Sequence, residues 1–233
     1  MQCVILAGGL GTRVAPLSDK IPKALIEVNG VPFIHYQLTW LSQQDITDVV
    51  ICIGHLGYLI KDYVQDGSPW NLSVSYVDEG ENLMGTAGAL RLGIEQGKLK
   101  DDFIVIYGDS LLTLNISNVC DYYHQSQMAA VMTVYKNEGK FDKSNIIMRD
   151  DNIVLYDKNL VNPPYIDYGF SVLNTKLLTE YVPKDKRHDL STVFHEASLD
   201  RLIKGYEVYD RFFEIGSFEG IRDFETWLNN GKP

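Results

Sequence analysis

Short β-branched apolar runs alternate with amphipathic segments through the first half of the chain, and this alternation restricts the fold more than any other feature. Cys3 to Ala7, Val49 to Ile53, Val74 to Val77 and Phe103 to Tyr107 are the strand candidates. They read as parallel strands linked by crossover helices. Pro32 suits the first position of a helix, with Ile34, Leu38 and Leu41 on one face. Leu59, Ile60, Tyr63 and Val64 mark a second helix, Leu90 and Ile94 a third, and Ile116 to Gln127 a fourth.

Past residue 130 the pattern changes. Val131 to Val134, Ile146 to Met148 and Ile153 to Tyr156 are strands, and only Asp150-Asp151-Asn152 separates the last two, which predicts antiparallel pairing. Ile166 to Leu173 is a further strand, Ser191 to Lys204 has helical spacing, and Val208 to Ile215 is a final strand before a helix capped by Ser217. With 233 residues, 45% of them hydrophobic, and no repeat, linker or low-complexity tract, residues 1–233 are expected to form one domain.

A formal charge of −10 argues against nucleic acid or an anionic membrane as partner, because both are bound by clustered Lys and Arg. Cys3, Cys52 and Cys120 are odd in number and widely spaced, which is neither a disulfide framework nor a zinc pattern. No apolar stretch approaches membrane-spanning length, and the N-terminal run lacks the form of a signal peptide. A reducing cytoplasm is the expected compartment.

The first strand runs into Gly8-Gly9-Leu10-Gly11-Thr12-Arg13, with Pro16 closing the loop and Lys23 ten residues after the arginine. Glycines in such a turn let backbone N–H groups approach phosphate oxygens. Arg13 can fork onto a phosphate and Lys23 can add a point charge, so together they suit a triphosphate. Glycines alone equally suit a tight turn. The Walker A order is absent, and Val14 stands where a dinucleotide fingerprint needs its third glycine. Asp109 follows Phe103 to Tyr107 through Gly108, at the carboxyl edge of a parallel sheet where open α/β folds bind ligands. Its oxygen donors suit magnesium, which takes one or two carboxylates plus phosphates and water.

These residues resemble the sugar-phosphate nucleotidyltransferases, whose signature stands here as Leu6-Ala7-Gly8-Gly9-Leu10-Gly11-Thr12-Arg13, Pro16 and Pro22-Lys23-Ala24-Leu25. The resemblance implies a three-layer, doubly wound α/β fold of Rossmann-like type, its mixed sheet mainly parallel with antiparallel strands in the second half. It implies transfer of a nucleoside monophosphate from a nucleoside triphosphate to a sugar 1-phosphate, with Mg2+. Arg13 would then bind the β- and γ-phosphates and stabilise the transition state, Lys23 would contact the phosphates at the reacting centre, and Asp109 would hold the metal. Leu6, Ala7, Gly8, Gly9, Gly11 and Thr12 would line the nucleotide.

The same resemblance places Gly85, Thr86 and Gly88 of Gly85-Thr86-Ala87-Gly88 at the base, in a form similar to mannose 1-phosphate guanylyltransferases that points to GTP, with CTP and UTP open. An ordinary helix entry fits these small residues nearly as well. Glu214 stands where the family carries its second metal ligand, an aspartate, and Phe218 replaces a frequent proline. Lys158 matches the lysine on the acceptor phosphate, Asp157 departs from the family's glutamate, and Asp167 and Gly169 match the strand beneath the acceptor, where a bulge explains the glycine equally well. No histidine lies in a matched motif. Two alternatives stay open: a cytidylyltransferase acting on a non-sugar phosphate or phosphonate, and a nucleotide-sensing module without catalysis. Oligomeric state has no signature here.

Overall fold

The computed structural model describes residues 1–9 and 20–231. They divide into two compact units, each discontinuous in sequence. The first comprises Gln2–Leu83, Ile106–Thr113 and Arg211–Pro233; the second comprises Met84–Val105 and Leu114–Asp210, together with Met1.

In the first unit, β1 (Gln2–Leu6) leads to the short hairpin β2 (Glu27–Val28) and β3 (Val31–Pro32), then α1 (Phe33–Ser42), β4 (Asp48–Ile53), α2 (Gly57–Val64) and β5 (Ser73–Asp78). β4 lies parallel to both β1 and β5, with Cys3 opposite Val49 and Val49 opposite Val74. Every residue of β1 is buried, which is why its sequence is continuously apolar rather than alternating. Pro32 is the N-cap of α1, one position before the expected one, and remains in the extended hairpin. Ile34, Leu38 and Leu41 are all buried, as their spacing predicts. Tyr63 departs from its predicted face and is exposed at the end of α2.

β6 (Asp102–Tyr107) ends in this unit and is followed by β7 (Ser110–Leu111). β7 pairs antiparallel with β13 (Phe213–Glu214), and α7 (Phe218–Asn229) follows. Ser217 caps α7 as predicted, its hydroxyl accepting the Gly220 N–H at 3.0 Å. Phe33, Phe213 and Phe224 form a buried aromatic centre that includes Leu111 of this strand pair, with the Phe33 and Phe224 rings edge to face at 5.5 Å.

In the second unit, α3 (Gly85–Glu95) and α4 (Ile116–Ser126) precede β8 (Ala130–Lys136), β9 (Ile146–Arg149), β10 (Asn152–Tyr156), β11 (Tyr165–Asn174), α5 (Thr175–Tyr181), α6 (Leu190–Leu199) and β12 (Ile203–Val208). β8 pairs antiparallel with β11 and parallel with β12. β9 and β10 form the expected hairpin, and Asp150 and Asp151 both take positive φ, as a two-residue turn of the primed type requires. The α/β architecture with a mixed sheet is therefore found.

Two boundaries differ from the sequence reading. The helix predicted to reach Lys204 stops at Leu199, because Arg201 turns left-handed (φ 59°) and Ile203 enters the ladder opposite Ala130. The strand predicted over Val208 to Ile215 is two strands, β12 ending at Val208 and β13 beginning at Phe213. Helix α5 was not foreseen; Asn174 starts it by accepting the Leu177 N–H at 2.8 Å. No helix among the described residues is long and apolar enough to cross a membrane.

Candidate functional site

In the first unit, Lys23 and Asp109 are brought together. Pro22, with φ fixed at −65°, opens a short 3-10 turn over Lys23–Leu25, and the Ile26 N–H closes it on the Lys23 carbonyl at 2.9 Å. From this turn the Lys23 ammonium reaches Asp109 Oδ2 at 2.9 Å. The lysine side chain is 16% exposed and the aspartate 25%, so the pair is shielded without being sealed from a ligand.

The backbone around Asp109 is held on each side. The Gly108 N–H donates to the Leu6 carbonyl at 2.9 Å, and a Cβ at Gly108 would stand only 3.0 Å from that oxygen and from Ala7 Cβ. A side chain here would crowd the end of β1, after which the chain passes through Ala7 to Gly8 and Gly9. The Asp109 carbonyl accepts the Ile215 N–H at 2.9 Å. Gln37, fully buried on α1, donates through Nε2 to the carbonyls of Tyr107 at 2.8 Å and Ser110 at 2.7 Å, bracketing Gly108 and Asp109. A single amide thus fixes the segment that presents the carboxylate.

Glu214 pairs with Ser110 across β13 and β7, one register step from Asp109. The Ser110 hydroxyl lies 3.4 Å from Asp109 Oδ1, and the oxygen donors of Asp109 are of the hard kind that magnesium prefers. Among the described residues no group of three His, Cys, Asp or Glu could hold an ion. A cation here would depend on one or two carboxylates completed by phosphate and water, which fits magnesium and does not fit a structural zinc. Gly11, Thr12, Arg13 and Pro16 lie outside the described residues.

In the second unit, Gly85, Thr86 and Gly88 form the entry of α3. Gly85 has φ +76°, and a Cβ there would meet the His188 carbonyl oxygen at 2.7 Å. That carbonyl accepts the N–H groups of Ala87 and Gly88, each at 3.0 Å, while Thr86 Oγ1 accepts the Leu190 N–H at 2.7 Å. The first-turn donors are thereby engaged by the 188–190 segment, and the small residues serve that close packing.

Lys158, Asp167 and Gly169 also come together in this unit. The register between β11 and β8 shifts between Asp167 and Ser171, and Gly169 within the shift has φ +97°, so the glycine marks a β-bulge. The bulge directs the Gly169 N–H onto Asp167 Oδ1 at 2.9 Å. Burial pushes the Asp167 carboxyl up to about 6, against the opposing pull of that N–H, of the Lys158 charge and of a hydrogen bond from Tyr156. Tyr156 is in turn driven well above the ordinary phenol range by burial and by the Asp167 charge. Asp157 accepts the Asn159 N–H through Oδ1 at 2.7 Å and so shapes the turn that holds Lys158.

Gln37, Asn145, His188, His195 and Ser198 were not singled out from sequence. A signal existed only for Gln37, an amide on the apolar face of α1.

A sequence profile of the family described as nucleotidyl transferase matches residues 2–152. The chain is 30% identical over 202 residues to a glucose-1-phosphate cytidylyltransferase of Salmonella typhimurium, covering 76% of this chain and 77% of that protein. It is 27% identical to a D-glycero-alpha-D-manno-heptose 1-phosphate guanylyltransferase of Aneurinibacillus thermoaerophilus, over 99% of both. It is 26% identical to a UTP--glucose-1-phosphate uridylyltransferase of Synechocystis, of which it spans 60% of the length. The fold matches that of a putative glucose-1-phosphate thymidylyltransferase from Bacillus anthracis with a TM-score of 0.86 at 20% identity, over 99% of this chain and 96% of that one.

Proposed function

The chain belongs to the nucleotidyl transferase family, and we propose that it transfers a nucleoside monophosphate from a nucleoside triphosphate to a sugar 1-phosphate, releasing pyrophosphate and forming a nucleoside diphosphate sugar. The observation that carries this reading is the Lys23–Asp109 pair at 2.9 Å, held beside the end of β1, which the glycines follow, by Gln37, Leu6 and Ile215. A cation and a carboxylate fixed in adjacent positions suit a phosphate and its metal.

A phosphate oxygen of the acceptor attacks the α-phosphorus in line, and the bond from that phosphorus to the bridging oxygen of pyrophosphate breaks. The acceptor phosphate has a second pKa of about 6 and is mostly ionised at neutral pH, so no general base is needed. Catalysis then rests on positioning and charge neutralisation. Lys23 faces the reacting phosphates and Arg13, in the signature loop, supplies a second cation. Asp109, with Glu214, would hold magnesium, which supplies charge neutralisation on the phosphates when bound. Lys158 offers the acceptor phosphate a cation that reduces its repulsion from the triphosphate, and Asp167 with Gly169 forms the floor beside it. The reading places the reaction in the cytoplasm.

GTP is the first triphosphate to try, since the Gly85-Thr86-Ala87-Gly88 form and the heptose 1-phosphate relative both point to guanine, whereas the cytidylyl and uridylyl relatives keep CTP and UTP in view. The test is pyrophosphate release from four triphosphates, each paired with hexose and heptose 1-phosphates and with a non-sugar phosphate, with and without magnesium. Release that depends on a sugar 1-phosphate supports the proposal. Binding of triphosphate without release under every pairing would instead identify a sensing module.

A further inference from the structure

The end of β10 is held by a helix where a strand would ordinarily hold it. β12 pairs with β10 only at Asn152, opposite Lys204, so the ladder on that edge does not continue to Tyr156. Both backbone groups of Tyr156 are nevertheless satisfied by α6, which packs along the strand. The Tyr156 N–H donates to Ser198 Oγ at 3.0 Å, and the Tyr156 carbonyl lies 2.8 Å from His195 Nδ1. Ser198 is fully buried and its hydroxyl donates in turn to the His195 carbonyl at 2.7 Å, tying its side chain to the backbone of the helix that carries both residues. Because a carbonyl can only accept, His195 must carry a proton on Nδ1.

The opposite edge is held equally firmly by Asn145, itself buried. Its carbonyl accepts the Asp157 N–H at 2.9 Å, and its Oδ1 accepts the Asp167 N–H at 3.0 Å. Beyond Asp157 the chain turns, with the Asn159 N–H on Asp157 Oδ1 at 2.7 Å and the Leu160 N–H on the Asp157 carbonyl at 3.3 Å. Lys158 is the second residue of that turn. An exposed lysine has a long flexible stem, so where its ammonium can reach is decided by how well its backbone is fixed.

The geometry points to His195 and Ser198 as positioning residues for Lys158: they clamp Tyr156 from α6 and thereby set the turn that offers the Lys158 ammonium to the phosphate of the acceptor. This rests on the proposed role of Lys158. The hydrogen bonds of His195 and Ser198 go to Tyr156 and within α6, so their effect on the acceptor would be carried through the backbone of residues 156 to 158.

The test uses the full chain and the sugar 1-phosphate that gives the fastest pyrophosphate release in the panel above. His195→Leu and Ser198→Ala should each raise KM for that acceptor about tenfold or more, the scale on which a misplaced binding group acts, and leave KM for the triphosphate nearly unchanged. His195→Asn, whose amide N–H replaces the Nδ1 donor, should restore acceptor KM, whereas His195→Gln should not. In a Lys158→Ala background, His195→Leu should add nothing further, because both act through the same ammonium. Hydrogen exchange gives a second readout that needs no turnover: the amides of Tyr156, Asp157 and Asn159 should exchange faster in His195→Leu, and not in Lys158→Ala. If His195→Leu unfolds the protein, the smaller Ser198→Ala change carries the same comparison. Acceptor KM that rises in Lys158→Ala but not in the α6 variants, or losses that multiply in the double variant, overturns the inference and leaves the proposed function standing. Acceptor KM that is unchanged in Lys158→Ala overturns both the inference and the reading of Lys158.

Discussion

Lys23 Nζ stands 2.9 Å from Asp109 Oδ2, the ammonium carried by a 3-10 turn and the carboxylate by the segment that follows β6. Both side chains keep contact with solvent, at 16% and 25% exposure, so their mutual attraction should contribute about 1 kcal/mol or less to stability. Under the proposed function the arrangement matters far more for a polyphosphate, whose charge the lysine would face. Lys23→Ala is therefore expected to lower turnover by about 10²–10³-fold while shifting the unfolding free energy by no more than about 1 kcal/mol. Asp109→Asn should do likewise, with its loss not recovered by added magnesium. Pyrophosphate release and urea denaturation on the same preparations check both, and a fall in stability that matches the fall in activity would show the pair to be structural.

Gln37 controls the same carboxylate from behind. Its amide donates to two carbonyls on either side of Asp109, so Gln37→Leu, close in size, leaves both without that donor. The expected cost is about 1–3 kcal/mol, and turnover should fall with it because Asp109 loses its fixed seat. Gln37→Glu should be worse at neutral pH, since a carboxylate only accepts and would face two carbonyl oxygens. The order Gln, Leu, Glu in urea midpoint is the measurement; equal stability of all three would show that the bracketing bonds contribute nothing.

How far the sequence revealed this arrangement varies with the range of the interaction. β1 and β4 were readable because a strand buried on both faces must be apolar at every position, as Cys3 to Leu6 and Val49 to Ile53 are. The β9–β10 hairpin was readable from Asp150-Asp151, residues that tolerate positive φ. The end of α6 was not, since Arg201 takes its left-handed turn without the Gly or Asn that usually announces one. Gly169 has two readings, and the bulge shows only through the register of β8, more than thirty residues away. The contact of His195 with Tyr156, separated by 39 residues, has no local signature at all. Lys23 and Asp109 were each nominated singly, through signature residues, yet their pairing across 86 residues is a property of the fold.

At the entry of α3, stability and nucleotide recognition can be separated. Thr86 Oγ1 accepts the Leu190 N–H at 2.7 Å, so Thr86→Val should cost about 1 kcal/mol and Thr86→Ser should restore it. Gly85 combines φ +76° with the crowding of the His188 carbonyl, and Gly85→Ala should cost about 1–3 kcal/mol. Urea midpoints check these values. If the polar atoms of this segment contact the base instead, Thr86→Val would raise triphosphate KM at unchanged stability.

Asp167 makes stability depend on pH in the direction opposite to that of most carboxylates. Burial raises its folded pKa from 3.8 to about 6, so below about pH 4 the group is protonated in both folded and unfolded chains and contributes no difference. Between the two values the folded protein keeps a proton that the unfolded chain has released, and stability falls as pH rises through this window. Above about 6 both forms are ionised and the penalty is constant, on the order of 2–3 kcal/mol. Asp167→Asn removes the ionisation while its amide oxygen can still accept from the Gly169 N–H and the Tyr156 hydroxyl. Relative to the parent, the variant should therefore gain stability between pH 4 and pH 7.5, by an amount on the order of 2–3 kcal/mol, as read from urea denaturation at the two pH values. A difference between the two proteins that stays constant with pH would mean that the Lys158 charge and the hydrogen bonds to the carboxylate fully offset its burial.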